Sequence, residues 1–193
     1  TLPRDVRAFS RRSRRPATPS PHARRLRLIR HLDDFAAIYG SEREKPLALL
    51  RAIDPAQKDV VLHPGVRTLE RLAWHLTQTL TEMPHRAGLL PDDPLANQPP
   101  PAEFTELIRL YEEQSARLLA AVAREWSDAS LGETVEMYGE AWSRGQILTV
   151  LVFHEVHHRA EMIPLIRLLG LRVPGLFGPA RAAWAELGIP APA

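Results

Sequence analysis

There is no cysteine among the 193 residues of the chain, which excludes a disulfide framework, a thiolate nucleophile and any cysteine-ligated metal. A bound metal would have to use His, Asp or Glu. Long apolar runs are missing too: the stretch Ile147 to Phe153, broken only by Thr149, falls far short of the roughly 20 residues that span a bilayer. The N-terminus lacks the apolar middle of a secretory signal, although its Arg and Ser content loosely resembles a transit peptide, and the expected location is the cytoplasm. No alternating strand series stands out, so helices are expected to dominate.

What is present is 45% hydrophobic, enough for one main domain. The formal charge of +2 conceals an uneven distribution. Residues 1–30 hold ten arginines and one acid, Asp5, so the rest of the chain is acidic by about seven charges. Residues 1–23, rich in Arg and Pro, have almost no apolar periodicity and are expected to form a disordered tail. Clustered arginines could neutralise phosphates, but this run has neither interleaved aromatics nor an adjoining basic fold, so nucleic acid is not the expected partner.

From Arg24 the spacing becomes helical. Leu28, Leu32, Phe35 and Tyr39 predict a first helix, which Gly40 and Pro46 should break before Leu47, Leu50 and Ile53. Thr68 is placed to cap a second, with Leu69, Leu72, Leu76 and Leu80 as its apolar stripe and Pro84 and Gly88 as its stop. A proline-rich crossover, residues 91–103, separates the halves. Phe104, Leu107, Ile108, Tyr111, Leu118, Leu119, Val122 and Trp126 then mark a third helix. After a connector over 127–142, Ser143 and Gln146 have capping-box spacing for a fourth, which Gly170 should end. The expected fold is an all-α four-helix bundle with long crossovers, followed by a short helix near 180–187 and a C-terminal tail.

Three of the eight histidines carry the chemical signal. His154 and His158 are four apart, which stacks two imidazoles on one helix face about 5 to 6 Å apart at Cβ. The apolar neighbours on that face, Ile147, Leu151, Met162 and Leu165, direct both rings inward, where a divalent transition ion can satisfy them. Core histidines paired with carbonyls or carboxylates are the alternative. His75 lies beside the stripe of the second helix and can complete a three-ligand set, which leaves coordination positions open for chemistry. His157, His22, His31, His63 and His85 have no such placement. The tryptophans read as packing anchors, except that Trp74 beside His75 could wall the site.

His154-Glu155-Val156-His157-His158 also matches the His-Glu-x-x-His signature of zinc peptidases, whose glutamate activates water. Glu161 stands where the longer form of that signature has glycine, and no edge strand is expected to hold a peptide. Glu155 and Glu161 remain the candidate bases.

Arg67-Thr68-Leu69 with Trp74-His75-Leu76, the His154 and His158 pair followed by Arg159, and the stretch Leu168 to Pro174 with Phe177-Gly178-Pro179 resemble the DinB-like (DinB/YfiT-like) metalloenzyme family over residues 24–180. The resemblance implies a four-helix bundle, often a homodimer, with a zinc-, nickel- or iron-type ion on His75, His154 and His158. It also implies a small-molecule substrate and either a metal-dependent hydrolase or a transferase using a low-molecular-weight thiol. Where the family commonly has Arg-Gly-Gln after the last ligand, this chain has Arg159-Ala160-Glu161, an acid in place of an amide. A non-catalytic, stress-associated metal-binding or dimerisation protein is the reading from another class.

Overall fold

The computed structural model describes residues 29–190, so the Arg-rich segment 1–23, expected to be a disordered tail, and the helical start expected at Arg24 to Leu28 lie outside the described residues. Six helices and one hairpin follow: α1 (Leu32–Glu42), α2 (Glu44–Arg51), α3 (Leu69–Arg86), α4 (Phe104–Glu125), β1 (Thr134–Met137), β2 (Glu140–Ser143), α5 (Arg144–Leu168) and α6 (Arg181–Glu186). The pair α1–α2 packs on α4 and α5, and α3 packs on the same two helices from the other side. The order around the axis is therefore α1–α2, α4, α3, α5, a four-helix bundle whose first member is broken.

The break differs from the one expected. Gly40 lies inside α1, and the interruption falls at Arg43. Pro46 sits in the first turn of α2, where the missing N–H has no intrahelical acceptor to lose. Pro84 likewise does not stop α3: the helix runs through it to Arg86, and the turn out is made at Gly88, whose φ is +70°. Thr68 caps α3 as expected, its side chain accepting from the amide of Arg71 at 3.1 Å. The indole N–H of Trp74 donates to the carbonyl of Gln98 at 3.0 Å, so this residue pins the crossover to α3.

The connector over 127–142 contains structure that sequence reasoning passed over. Strands β1 and β2 pair antiparallel, Thr134 opposite Ser143 and Met137 opposite Glu140. The turn residues Tyr138 and Gly139 have φ of +52° and +84°, the left-handed pair that a two-residue hairpin turn of matching twist requires. The hairpin leads straight into α5. Ser143 accepts from the Gln146 amide at 3.2 Å, but the side-chain oxygen of Gln146 has no partner among the described residues, so half of the expected capping box forms. A reciprocal box occurs instead at Ser127 and Ser130.

Helix α5 is the organising element. It lies between α1–α2 and α3, so it buries residues on several sides: Ile147, Leu151 and Met162, and also Glu155, His158 and Arg159. A helix enclosed in this way has no single apolar stripe. It ends where the glycine signal placed the end, with Gly170 at φ +75° and the Leu171 amide returning to Ile166 at 3.0 Å, a Schellman closure. None of the described helices is long and apolar enough to cross a membrane.

Candidate metal centre

Helix spacing sorts the polar side chains of α5 into two sets. His154 and His158 share one face, and Glu155 and Arg159, each one residue on, are rotated by about 100°. The first pair meets His75 from α3. The second meets α1 and α4. The sequence therefore builds two polar clusters from one heptad of α5, one on each side of the helix.

In the first cluster three imidazoles converge through the same atom. Nε2 of His154 lies 3.2 Å from Nε2 of His75 and 3.1 Å from Nε2 of His158. Nitrogens bound about 2.0 to 2.1 Å from one tetrahedral centre are about 3.3 Å apart, so these separations fit a shared ion. Nδ1 of His154 is buried and has no partner among the described residues; an ion held on Nε2 would leave the ring proton on that nitrogen.

Burial and nearby charges keep two of the rings, His75 and His154, neutral. His75 and His154 are each pushed down to about 4, first by burial, then by the other histidines and by Arg67. Neutral imidazole is the metal-binding form. His158 is 7% exposed, and its Nδ1 lies 2.6 Å from Oε2 of Glu161. Nδ1 is therefore the donor, and the Nε2 lone pair faces the other two rings. Burial pushes the Glu161 carboxyl up, but the hydrogen bond from His158 and the favourable electrostatics of the neighbouring His158, His157 and Arg67 outweigh it, so it lies below the usual carboxylate range. His157 is exposed and reaches Glu161 Oε1 at 3.5 Å; it does not join the three converging nitrogens.

The structure does not bring Glu155 to this cluster. Its Oε1 accepts from Tyr39 at 3.2 Å and Tyr111 at 3.0 Å, on α1 and α4. Burial is the main cause that lifts its carboxyl to about 7, against the opposing tyrosine hydroxyls and Arg159. Enclosed there, it does not face the position that the glutamate of a His-Glu-x-x-His peptidase must occupy. Arg159, 2% exposed, reaches Glu42 at 2.8 Å. Tyr39, Tyr111 and Glu42 were not singled out by sequence reasoning as polar partners, because nothing local marks which apolar-stripe tyrosines have a buried carboxylate opposite them.

Beside the histidines is a cavity of about 620 Å³. Its lining includes His157, His158 and Glu161 from α5, Val66 and Arg67 from the loop before α3, and the apolar Leu72 and Leu165. A second, of about 340 Å³, borders His75 from the other side with Gln78, Glu82 and Arg86.

The sequence profile of the DinB family matches residues 29–191. The chain belongs to the DinB family. It is 28% identical to the protein YrdA of Bacillus subtilis (strain 168) over 165 residues, 86% of this chain and 99% of that one. Among solved structures, a DinB-like protein from Bacillus cereus ATCC 10987 superposes with a TM-score of 0.71 at 25% identity, covering 77% of this chain and 99% of the other. YfiT from Bacillus subtilis, described as a probable metal-dependent hydrolase with an unusual four-helix bundle topology, superposes with a TM-score of 0.58 at 18% identity, covering 72% and 87%. At that identity the likeness to YfiT concerns the bundle.

Proposed function

We propose that this DinB protein is a metal-dependent hydrolase of small molecules, with His75, His154 and His158 holding a divalent transition ion. The observation that carries this reading is the meeting of three Nε2 atoms from α3 and α5 at 3.1 and 3.2 Å, beside a cavity of about 620 Å³. Three neutral nitrogen ligands suit zinc, nickel or iron alike. An ion held this way supplies Lewis acidity while leaving coordination positions open to substrate.

The protein's own residues supply the rest. Glu161 fixes the tautomer and ring orientation of His158 through Nδ1, as carboxylates behind ligand histidines commonly do. It also borders the cavity, and its lowered pKa keeps it ionised at neutral pH, so it is the group placed to take a proton from an attacking water. Glu155 takes a different part: hydrogen-bonded by Tyr39 and Tyr111, it ties α5 to α1 and α4 and so holds the helix that presents His154 and His158. Leu72 and Leu165, both buried, give the cavity part of its apolar lining. The likeness of the bundle to that of a probable metal-dependent hydrolase, YfiT, supports the same reading.

Elemental analysis of the purified protein tests it, alongside His75→Ala, His154→Ala and His158→Ala, each gel-filtered to remove loose ions. About one ion per chain in the wild type and loss in each variant is the expected result, followed by hydrolysis of ester or amide substrates that disappears with the ion. A wild type that stays ion-free after exposure to zinc, nickel and iron removes the proposal.

A further inference from the structure

The cavity beside His158 has one strongly charged group that its architecture does not otherwise use. Arg67 lines it at the end of the loop leading to α3. The nearby carboxylates are engaged elsewhere, Glu70 with Lys58 and Glu161 with His158, which leaves Arg67 without a carboxylate partner among the described residues. Its charge reaches the histidines: after burial and His158, Arg67 is the next cause lowering His75, and it also acts on His154 and Glu161.

The walls around Arg67 are apolar. Val66 is 44% exposed and lines the cavity with Leu72, Pro164 and Leu165. Val60, Val61 and Leu62, in the same loop, are 38%, 66% and 40% exposed. An apolar side chain exposed in a cavity lining, as Val66 is, marks a surface that gains from covering.

We propose that this cavity binds a small carboxylate with an apolar body, its head paired with Arg67 and its body against Val66, Leu72, Pro164 and Leu165. The inference rests on the metal-site reading above and names the substrate class of that site. The charge balance supports it. Three neutral imidazoles, a divalent ion, ionised Glu161 and Arg67 leave the loaded site with an excess of about two positive charges, which an anion complements. A planar carboxylate matches the fork of a single guanidinium, and pockets of this size commonly hold small organic ligands. The negative charge of Glu161 is already counted in that balance, where the ion and Arg67 outweigh it.

The experiment titrates octanoate, octanamide and inorganic phosphate into zinc-loaded protein by calorimetry, for wild type and Arg67→Gln, with ion content measured on each sample. Octanoate should bind the wild type at least tenfold more tightly than octanamide or phosphate does. Arg67→Gln should weaken octanoate at least tenfold while leaving octanamide binding and zinc content unchanged. Equal binding of octanoate and octanamide, unchanged octanoate affinity in Arg67→Gln, or preference for phosphate overturns the inference. The same comparison on ion-free protein separates the two readings: a chain that takes up no zinc refutes the metal centre, and the response to Arg67→Gln still decides whether this cavity recognises carboxylates.

Discussion

Oε2 of Glu161 lies 2.6 Å from Nδ1 of His158, and these two residues, three apart on α5, join the proposed ion site to the cavity wall. The contact assigns His158 one job per nitrogen. Removing the charge while keeping the shape, in Glu161→Gln, weakens the acceptor and frees the ring to change tautomer. Ion affinity should fall about 10- to 100-fold, the usual loss for such outer partners, as read by competition with a chromophoric chelator. An unchanged affinity would show that the contact does not set the ligand.

Glu155 offers a test with the opposite sign. Its carboxyl is raised to about 7 from 4.5, chiefly by burial, so the native state holds a proton that the unfolded chain releases near 4.5. Stability from this group is fully present below pH 4.5 and is lost as pH rises through 7. Glu155→Gln cannot ionise and still presents an oxygen to Tyr39 and Tyr111. Relative to wild type, the variant should therefore be more stable at pH 8 than at pH 4.5, measured by urea denaturation at both. A difference independent of pH would mean that Glu155 titrates normally.

Local signals made much of this legible. Thr68 announced the start of α3 and Gly170 the end of α5 because caps act through neighbouring amides. His154 and His158 declared themselves because four-residue spacing fixes a shared face. His75 could be placed only as far as its helix stripe allowed. Tertiary packing decided several of the misses, and unusual local chemistry the others. Gly40 stays helical because α1 packs on α4 and α5, and Pro84 is tolerated inside an enclosed helix. The Tyr138-Gly139 turn lacks the asparagine that usually signals left-handed conformations. Glu155 was read beside His154 in sequence, but the 100° offset turns it toward Tyr39 and Tyr111. Arg67 was visible as part of a family signature, yet its place at the cavity depends on how the loop returns to α5.

The ion-free protein should have a distinctive acid limb. His75 and His154 take protons near 6.5 when unfolded but only near 4 in the native state, mainly because of burial. The unfolded chain therefore binds more protons across that window, and stability falls as pH drops from 6.5 toward 4. With a chelator present, the melting temperature of the wild type should decline more steeply over this range than that of the doubly substituted His75→Ala, His154→Ala protein. Parallel declines would place the acid sensitivity elsewhere.

A second grouping, His157, His158 and Glu161, also has ligand atoms within reach of one another, and it can be separated from the first by thermal shift. An ion that binds only the folded protein stabilises it by about 2.7 kcal/mol at 100 times its dissociation constant. Zinc should raise the melting temperature of wild type and His157→Ala equally, because His157 is exposed and lies off the three converging Nε2 atoms. His154→Ala should show no shift. The reverse pattern, with the shift lost in His157→Ala and kept in His154→Ala, would move the ion to the outer edge of α5, where His158 would bind through Nδ1 and Glu161 would be a ligand instead of its orienting partner.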